Sequence, residues 1–199
     1  NIGKNKNTPN EKAVDDYMEC FDKLYDHVDY FTVNVSSPNT PNLRDLQNIE
    51  GLKSILIPLI EENKKRINKP ILLKISPDLS DSDIILIVDL VMDLKVDGII
   101  STNTTIKRDK LKSKTSLKNE KGGLSGSPLT KRSTDVIRLI HKHSKGKVPI
   151  VGVGGIMTTQ DALDKINAGA SLIQLYTGFI YNGPSFARNI NKEIIKSLN

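Results

Sequence analysis

The sequence predicts an α/β fold: a (β/α)8 TIM barrel of which about six βα units, strands 3 to 8, are present. Three observations predict it. Apolar runs of strand length alternate with segments of helical period along the whole chain. Each run is almost continuously apolar, as strands of a parallel sheet must be when helices cover its outer side. Nearly every run also ends in polar or glycine residues, the chemistry that a barrel collects at the C-terminal ends of its strands.

Asn1-Ile2-Gly3 reads as the end of a strand. From Glu11 to His27 apolar residues recur at helical spacing, with Ala13, Val14, Tyr17, Met18, Phe21 and Leu24 on one face, and "YFTVNV" then reads as a buried strand. "GLKSILIPLIEENKKRI" is a helix in which Pro58 predicts a kink or a late start. "PILLKIS" is the next strand. Ser80 with Asp83 forms a capping arrangement for the helix "DSDIILIVDLVMDL", and "DGIIS" is again a short strand. Residues 105–122 form a polar, lysine-rich loop, followed by a helix near 130–144 and the strand "PIVGV". The helix "TQDALDKINA" stops at Gly169, a residue suited to the C′ position, and "SLIQLY" follows as a strand. "GPSFARNINKEIIKSL" makes the last helix, with Pro184 near its first turn.

A doubly wound sheet would satisfy the same alternation, but it gathers functional residues at one switch point. Here the unusual residues stand at many exits: Asn34 and the serines after it, Lys74, Thr102-Asn103-Thr104, Gly154-Gly155 and Tyr176-Thr177-Gly178. That distribution favours the barrel. A complete barrel takes about 250 residues, so a chain of this length lacks about two strands. The chain opens on Asn1 rather than Met, and residues 1–199 are expected to be a single barrel domain incomplete at its N-terminus.

With 26% charged residues, and no apolar run near the ~20 residues needed to cross a bilayer, the expectation is a soluble, globular domain. The formal net charge of +6 suits an anionic ligand, but the basic residues are dispersed and only 5% of residues are aromatic, which argues against nucleic acid. Lys107, Arg108, Lys110, Lys112, Lys114, Lys118 and Lys121 read as a solvated loop, with steering of an anionic substrate or contact with anionic lipid as the sharper alternative. The single cysteine, Cys20, lies on an apolar helix face and reads as an inert buried thiol. His27, His141 and His143 sit at helix ends, and no metal-binding motif is present, so no metal is expected.

The exits carry the chemistry. Gly152, Gly154 and Gly155 lie between a strand and a helix, where glycine lets an anion approach backbone N–H groups, or simply makes a tight turn. The next exit, "YTG", also precedes a helix, and the loops after the last two barrel strands commonly build a phosphate site. Lys74 stands mid-strand, where an ammonium is expensive to desolvate; it either snorkels to the rim or lies under a cofactor ring, stabilising negative charge that develops there. Thr102, Asn103, Thr104 and Thr105 offer amide and hydroxyl groups that can orient a planar polar ligand or form a local turn.

Taken together, "NIGKN", "NVSSPNTPNLR", "LLKISPDLS", "STNTT", "GGLSGSPL", "VGVGGI" and "GASLIQLYTG" resemble, in order, the motifs of the dihydroorotate dehydrogenase family. The resemblance implies an FMN-containing barrel that oxidises dihydroorotate to orotate in pyrimidine (UMP) biosynthesis. Within the family, a soluble class carries cysteine as the base after the fourth barrel strand, and a membrane-associated, quinone-reducing class carries serine; Ser37 matches that position. By the same resemblance Asn34, Asn39, Asn103 and Thr104 would hold the orotate, and Asn1, Lys74, Thr102, Gly126, Gly155, Tyr176 and Thr177 would bind FMN. Ser37 and Lys74 would be the catalytic pair, with Ser36 structural. Quinone would be the electron acceptor. Peripheral association with the bacterial cell membrane or the mitochondrial inner membrane would run through a segment absent from this sequence. Asn42 stands where the family more often has glycine, although asparagine also tolerates left-handed backbone. A non-catalytic FMN- or phosphate-binding barrel fragment, or another FMN barrel such as a dihydrouridine synthase, is the alternative; the latter would be expected to carry a cysteine acid.

Overall fold

The computed structural model describes residues 1–108, 111 and 118–198. Its centre is a five-stranded parallel sheet formed by β1 (Phe31–Asn34), β2 (Ile71–Ile75), β3 (Gly98–Ser101), β4 (Ile150–Val153) and β5 (Leu172–Gln174), in that spatial order. Each strand pairs with the next one in the chain, so the sheet has no point where strand order reverses. That order is consistent with the wall of a (β/α) barrel and lacks the switch point of the doubly wound alternative. The strand expected at the N-terminus is reduced to a single parallel bridge, Ile2 with Val33, made by Ile2 N–H to Thr32 O (2.9 Å) and Asn34 N–H to Ile2 O (3.0 Å).

Between strands run α1 (Ala13–Leu24), α2 (Ile49–Lys64), α3 (Asp81–Leu94), α4 (Thr130–His143) and α5 (Thr159–Asn167); α6 (Thr177–Asn182) and α7 (Ser185–Leu198) follow β5. Their starts are chemically marked. Ser80 Oγ accepts from Asp83 N–H, and Thr158 and Asp161 form a reciprocal capping box. Gly169, at φ +111°, ends α5 in the conformation that a C′ glycine supplies. Pro58 neither starts nor stops α2, which begins at Ile49 and continues to Lys64; a proline there forfeits one helical hydrogen bond, and buried Ile55, Leu56 and Leu59 hold the segment against the core. His143 differs from the solvated end expected for it, since its Nε2 meets Asp89 Oδ1 of α3 at 2.7 Å.

Burial alternates along β2: Ile71, Leu73 and Ile75 are buried, while Leu72 and Lys74 are half-exposed. The first set faces the helices, where Phe21, Leu52, Leu56, Ile87, Val91 and Ile137 complete one continuous core. The second set faces the concave side. There Tyr30, Leu72, Ile100, Val151, Leu172 and Phe179 line an open apolar trough of about 760 Å³. Helices thus cover one face of the sheet and the strands' parallel direction brings every exit to one edge. Cys20 packs against the core on α1, where burial pushes its thiol pKa up. No helix among the described residues is long and apolar enough to cross a membrane.

Candidate active site at the strand exits

The exits of β2 to β5 surround a cavity of about 370 Å³. Lys74, Thr102, Asn103, Thr104, Gly126, Gly155, Tyr176 and Thr177 line it, all of them candidate residues from the sequence, together with Gly123, Ser125, Gly154, Ile156 and Gln174. Lys74 is opposite Asn34 in the β1–β2 register. No hydrogen bond or ion pair is made by its ammonium among the described residues, and burial lowers its pKa. An unpaired, desolvated cation on the wall of a cavity is a group that an anionic or electron-rich ligand would satisfy.

One end of the cavity is an amide cluster. Asn34 Oδ1 accepts from Ser36 N–H (3.2 Å), Ser36 Oγ (2.9 Å) and Asn103 Nδ2 (3.2 Å). Its carbonyl is therefore saturated, and its NH2 is left to donate. Asn103 Nδ2 also reaches Ser36 Oγ at 3.0 Å, and its Oδ1 accepts the Thr104 N–H at 2.8 Å. Ser36, fully buried, thus orients two amides, in keeping with the structural role expected of it. The buried Tyr17 of α1 secures the same strand end, its hydroxyl donating to Asn34 O at 2.8 Å.

Ser37 and Asn39 are not on the cavity wall but on the loop that flanks it. Asn39 N–H donates to Ser37 Oγ at 3.2 Å, and Asn39 Oδ1 accepts from Gly123 N–H, a residue that does line the cavity, at 3.2 Å. The loop turns through Asn42 at φ +56°, the left-handed geometry for which asparagine is tolerated. Arg44 then locks it: Nε donates to Ser36 O (2.9 Å), one terminal nitrogen to Thr104 O (2.7 Å) and the other to Asp78 Oδ2 (2.8 Å). Asp78 in turn accepts from Thr105 Oγ1 and from Ile106 N–H. Sequence reasoning does not single out Arg44 or Asp78; the only signal for them is their position beside the serine loop and after "LLKIS".

The other end is the glycine loop. Gly154 and Gly155 have φ of +115° and +69°, and a Cβ on Gly155 would collide with the Thr130 backbone. Ser133 Oγ donates to Gly154 O at 2.7 Å, and Thr130 Oγ1 donates to Gly155 O. Across the cavity, Thr177 Oγ1 meets Ser125 Oγ at 2.9 Å and its methyl group faces Gly126. Asn1, like Asn34, Ser37 and Asn39, is not among the lining residues; it is exposed and sits before the Ile2 bridge. Of the basic loop, Arg108 donates to Thr105 O and Gly122 O while Lys107 and Lys121 are exposed; Lys110, Lys112 and Lys114 lie outside the described residues. No cluster of metal-ligating side chains exists among the described residues.

The family model for dihydroorotate dehydrogenase matches residues 1–198. A dihydroorotate dehydrogenase (quinone) of Christiangramia forsetii is 58% identical over 197 residues, which are 98% of this chain and 57% of that protein. One from Trichodesmium erythraeum is 53% identical over 204 residues, covering 100% of this chain and 53% of the relative. Among solved structures, DHODH of Eimeria tenella in complex with ferulenol superposes with a TM-score of 0.91 at 39% identity, covering 100% of this chain and 57% of that one. Its ligand-free form gives 0.92. The chain spans somewhat over half the length of these relatives. With a family match along nearly its whole length and a relative 58% identical over 98% of it, the chain belongs to the dihydroorotate dehydrogenase family.

Proposed function

We propose that the protein oxidises dihydroorotate to orotate, with FMN as its cofactor and a quinone as the final electron acceptor, in pyrimidine biosynthesis. One observation carries this reading: a single cavity unites an unpaired lysine, an amide cluster and a glycine loop. An amide cluster suits a planar ring of alternating carbonyl and N–H groups, and a glycine loop with outward N–H groups suits a phosphate.

The residues fit FMN. Among the described residues Gly155 and Ile156 N–H have no acceptor and Lys74 has no anionic partner. Gly155, Gly126, Tyr176 and Thr177 would hold the phosphate end, and Thr102 and Lys74 the ring end, with Asn1 as a further FMN contact. Bound FMN would supply a two-electron acceptor for a hydride. Asn34, Asn39, Asn103 and Thr104 would fix the substrate, with the Asn34 NH2 free to donate because its carbonyl is already saturated. Ser37 would take the proton from the substrate carbon next to a carbonyl as its own hydroxyl proton leaves through a relay to water. The Asn39 N–H that points at Ser37 Oγ favours negative charge on that oxygen, which eases loss of the serine's own proton as the substrate's is taken. Lys74 would stabilise charge gained on the cofactor side.

The finer architecture belongs to the same proposal. The apolar trough on the concave side, with Leu172 at 65% exposure, is the surface that closure into an eight-stranded, single-domain FMN barrel would bury. Membrane association is expected to be peripheral and to lie outside these residues. The test is an absorption spectrum of the purified intact protein: a flavin spectrum that bleaches when dihydroorotate is added anaerobically supports the assignment, and a flavin spectrum indifferent to dihydroorotate refutes it.

A further inference from the structure

Lys165 on α5 is fully buried, and the proposed chemistry gives it no role. Its ammonium donates to Ser133 Oγ at 2.6 Å and Thr134 Oγ1 at 2.9 Å, with Thr130 O at 3.5 Å, and no carboxylate pairs with it among the described residues. Packing of α5 on α4 does not require this, because an apolar side chain of the same length would fill the space without the cost of desolvating a charge. What the lysine adds is direction. An ammonium only donates, so Ser133 Oγ must accept from it and point its own proton elsewhere; the strongest acceptor in reach is Gly154 O at 2.7 Å.

The peptide group is planar, with C=O and N–H on opposite sides. Drawing Gly154 O toward α4 therefore turns Gly155 N–H away from α4, toward the cavity. Thr130 Oγ1, on Gly155 O, does the same for Ile156 N–H. We propose that Lys165 is a positioning residue for an anion cradle: through Ser133 it holds the glycine loop with the Gly155 and Ile156 N–H groups aimed at a ligand's phosphate. Its positive charge, placed behind that loop in a region shielded from water, also favours an anion in front of it. This rests on the FMN reading above and names the part of the molecule that shapes the phosphate end.

The test compares FMN with riboflavin, which lacks the phosphate, by flavin-fluorescence titration of the intact protein. Lys165→Met is expected to weaken FMN about tenfold, as loss of a supporting shell does elsewhere, and to leave riboflavin unchanged. Ser133→Ala, which keeps the ammonium and removes the hydroxyl that links it to Gly154, is expected to act in the same direction. Unchanged FMN affinity in Lys165→Met, or equal losses of FMN and riboflavin, overturns the inference. If Lys165→Met does not fold, Ser133→Ala decides by the same criterion. If the wild type binds no FMN, the cofactor reading fails instead, and calorimetric titration with inorganic phosphate decides: a loss confined to the variants supports the cradle, equal affinity removes it.

Discussion

Arg44 and Asp78 meet at 2.8 Å between the loops that follow β1 and β2, and between them they also hold the backbone of the β3 exit at Thr104 and Ile106. Three strand exits are thus fastened by one pair, both of whose side chains are largely buried. Lysine cannot reproduce the guanidinium fork, which serves three acceptors in a fixed plane. Arg44→Lys is expected to lower unfolding free energy in urea by about 1–2 kcal/mol and Arg44→Met by more, since the latter leaves Asp78 buried without its cation.

Ser37→Ala is expected to slow anaerobic reduction of the flavin by dihydroorotate by about 10²-fold or more, the usual worth of a positioned base. Orotate affinity should change little, because the amide cluster that would bind it is held by Ser36 rather than by Ser37. Stopped-flow absorbance measures the first and difference titration the second.

Lys74 is destabilising until something anionic satisfies it, since burial lowers its pKa and nothing pairs with it among the described residues. Lys74→Met is therefore expected to raise the melting temperature of flavin-free protein while reducing the increase that FMN produces. Differential scanning fluorimetry with and without FMN checks both signs.

The amine of Lys165 is shifted by burial from 10.5 to about 8, with Asp161, Asp164 and Asp135 partly opposing the shift. Between those values the unfolded chain carries more protons than the folded one, so stability rises with pH across the window and is least favourable below it. Relative to Lys165→Met, the wild type should gain on the order of 3 kcal/mol between about pH 8 and pH 10.5, measured by urea unfolding. Because Tyr17 and Cys20 are common to both proteins, their own titration cancels in the difference.

What is legible in the sequence is local. A strand exit announces itself by the residue types that follow an apolar run, so residue type and order alone assign Lys74, Thr102, Asn103, Gly155 and Tyr176 to one edge, where the cavity gathers them. Asn42 in left-handed backbone belongs to the same class, because its conformation depends on its own side chain. The supports are not legible. Arg44 and Asp78 are 34 residues apart and Lys165 and Ser133 are 32 apart, and no periodicity links residues in different βα units. Asn1 departs from expectation for a related reason: the residue type suits the chemistry, but one bridge at Ile2 leaves it beside the wall rather than at the exits. β2, β4 and β5 are also less buried than their apolar runs suggest, since composition does not say which face another element covers.

The sequential strand order bears on the chronology of folding. Every strand finds its partner in the segment made just before it, so the wall can assemble in the order in which a ribosome delivers it, through contacts of modest sequence separation. The cavity behaves otherwise: its lining begins at Lys74 and is complete only when Gly178 is in place. Across these residues most of the framework therefore forms before the cavity does, and capture of a cofactor there would be a late event that locks this part of the wall rather than a nucleus that starts it.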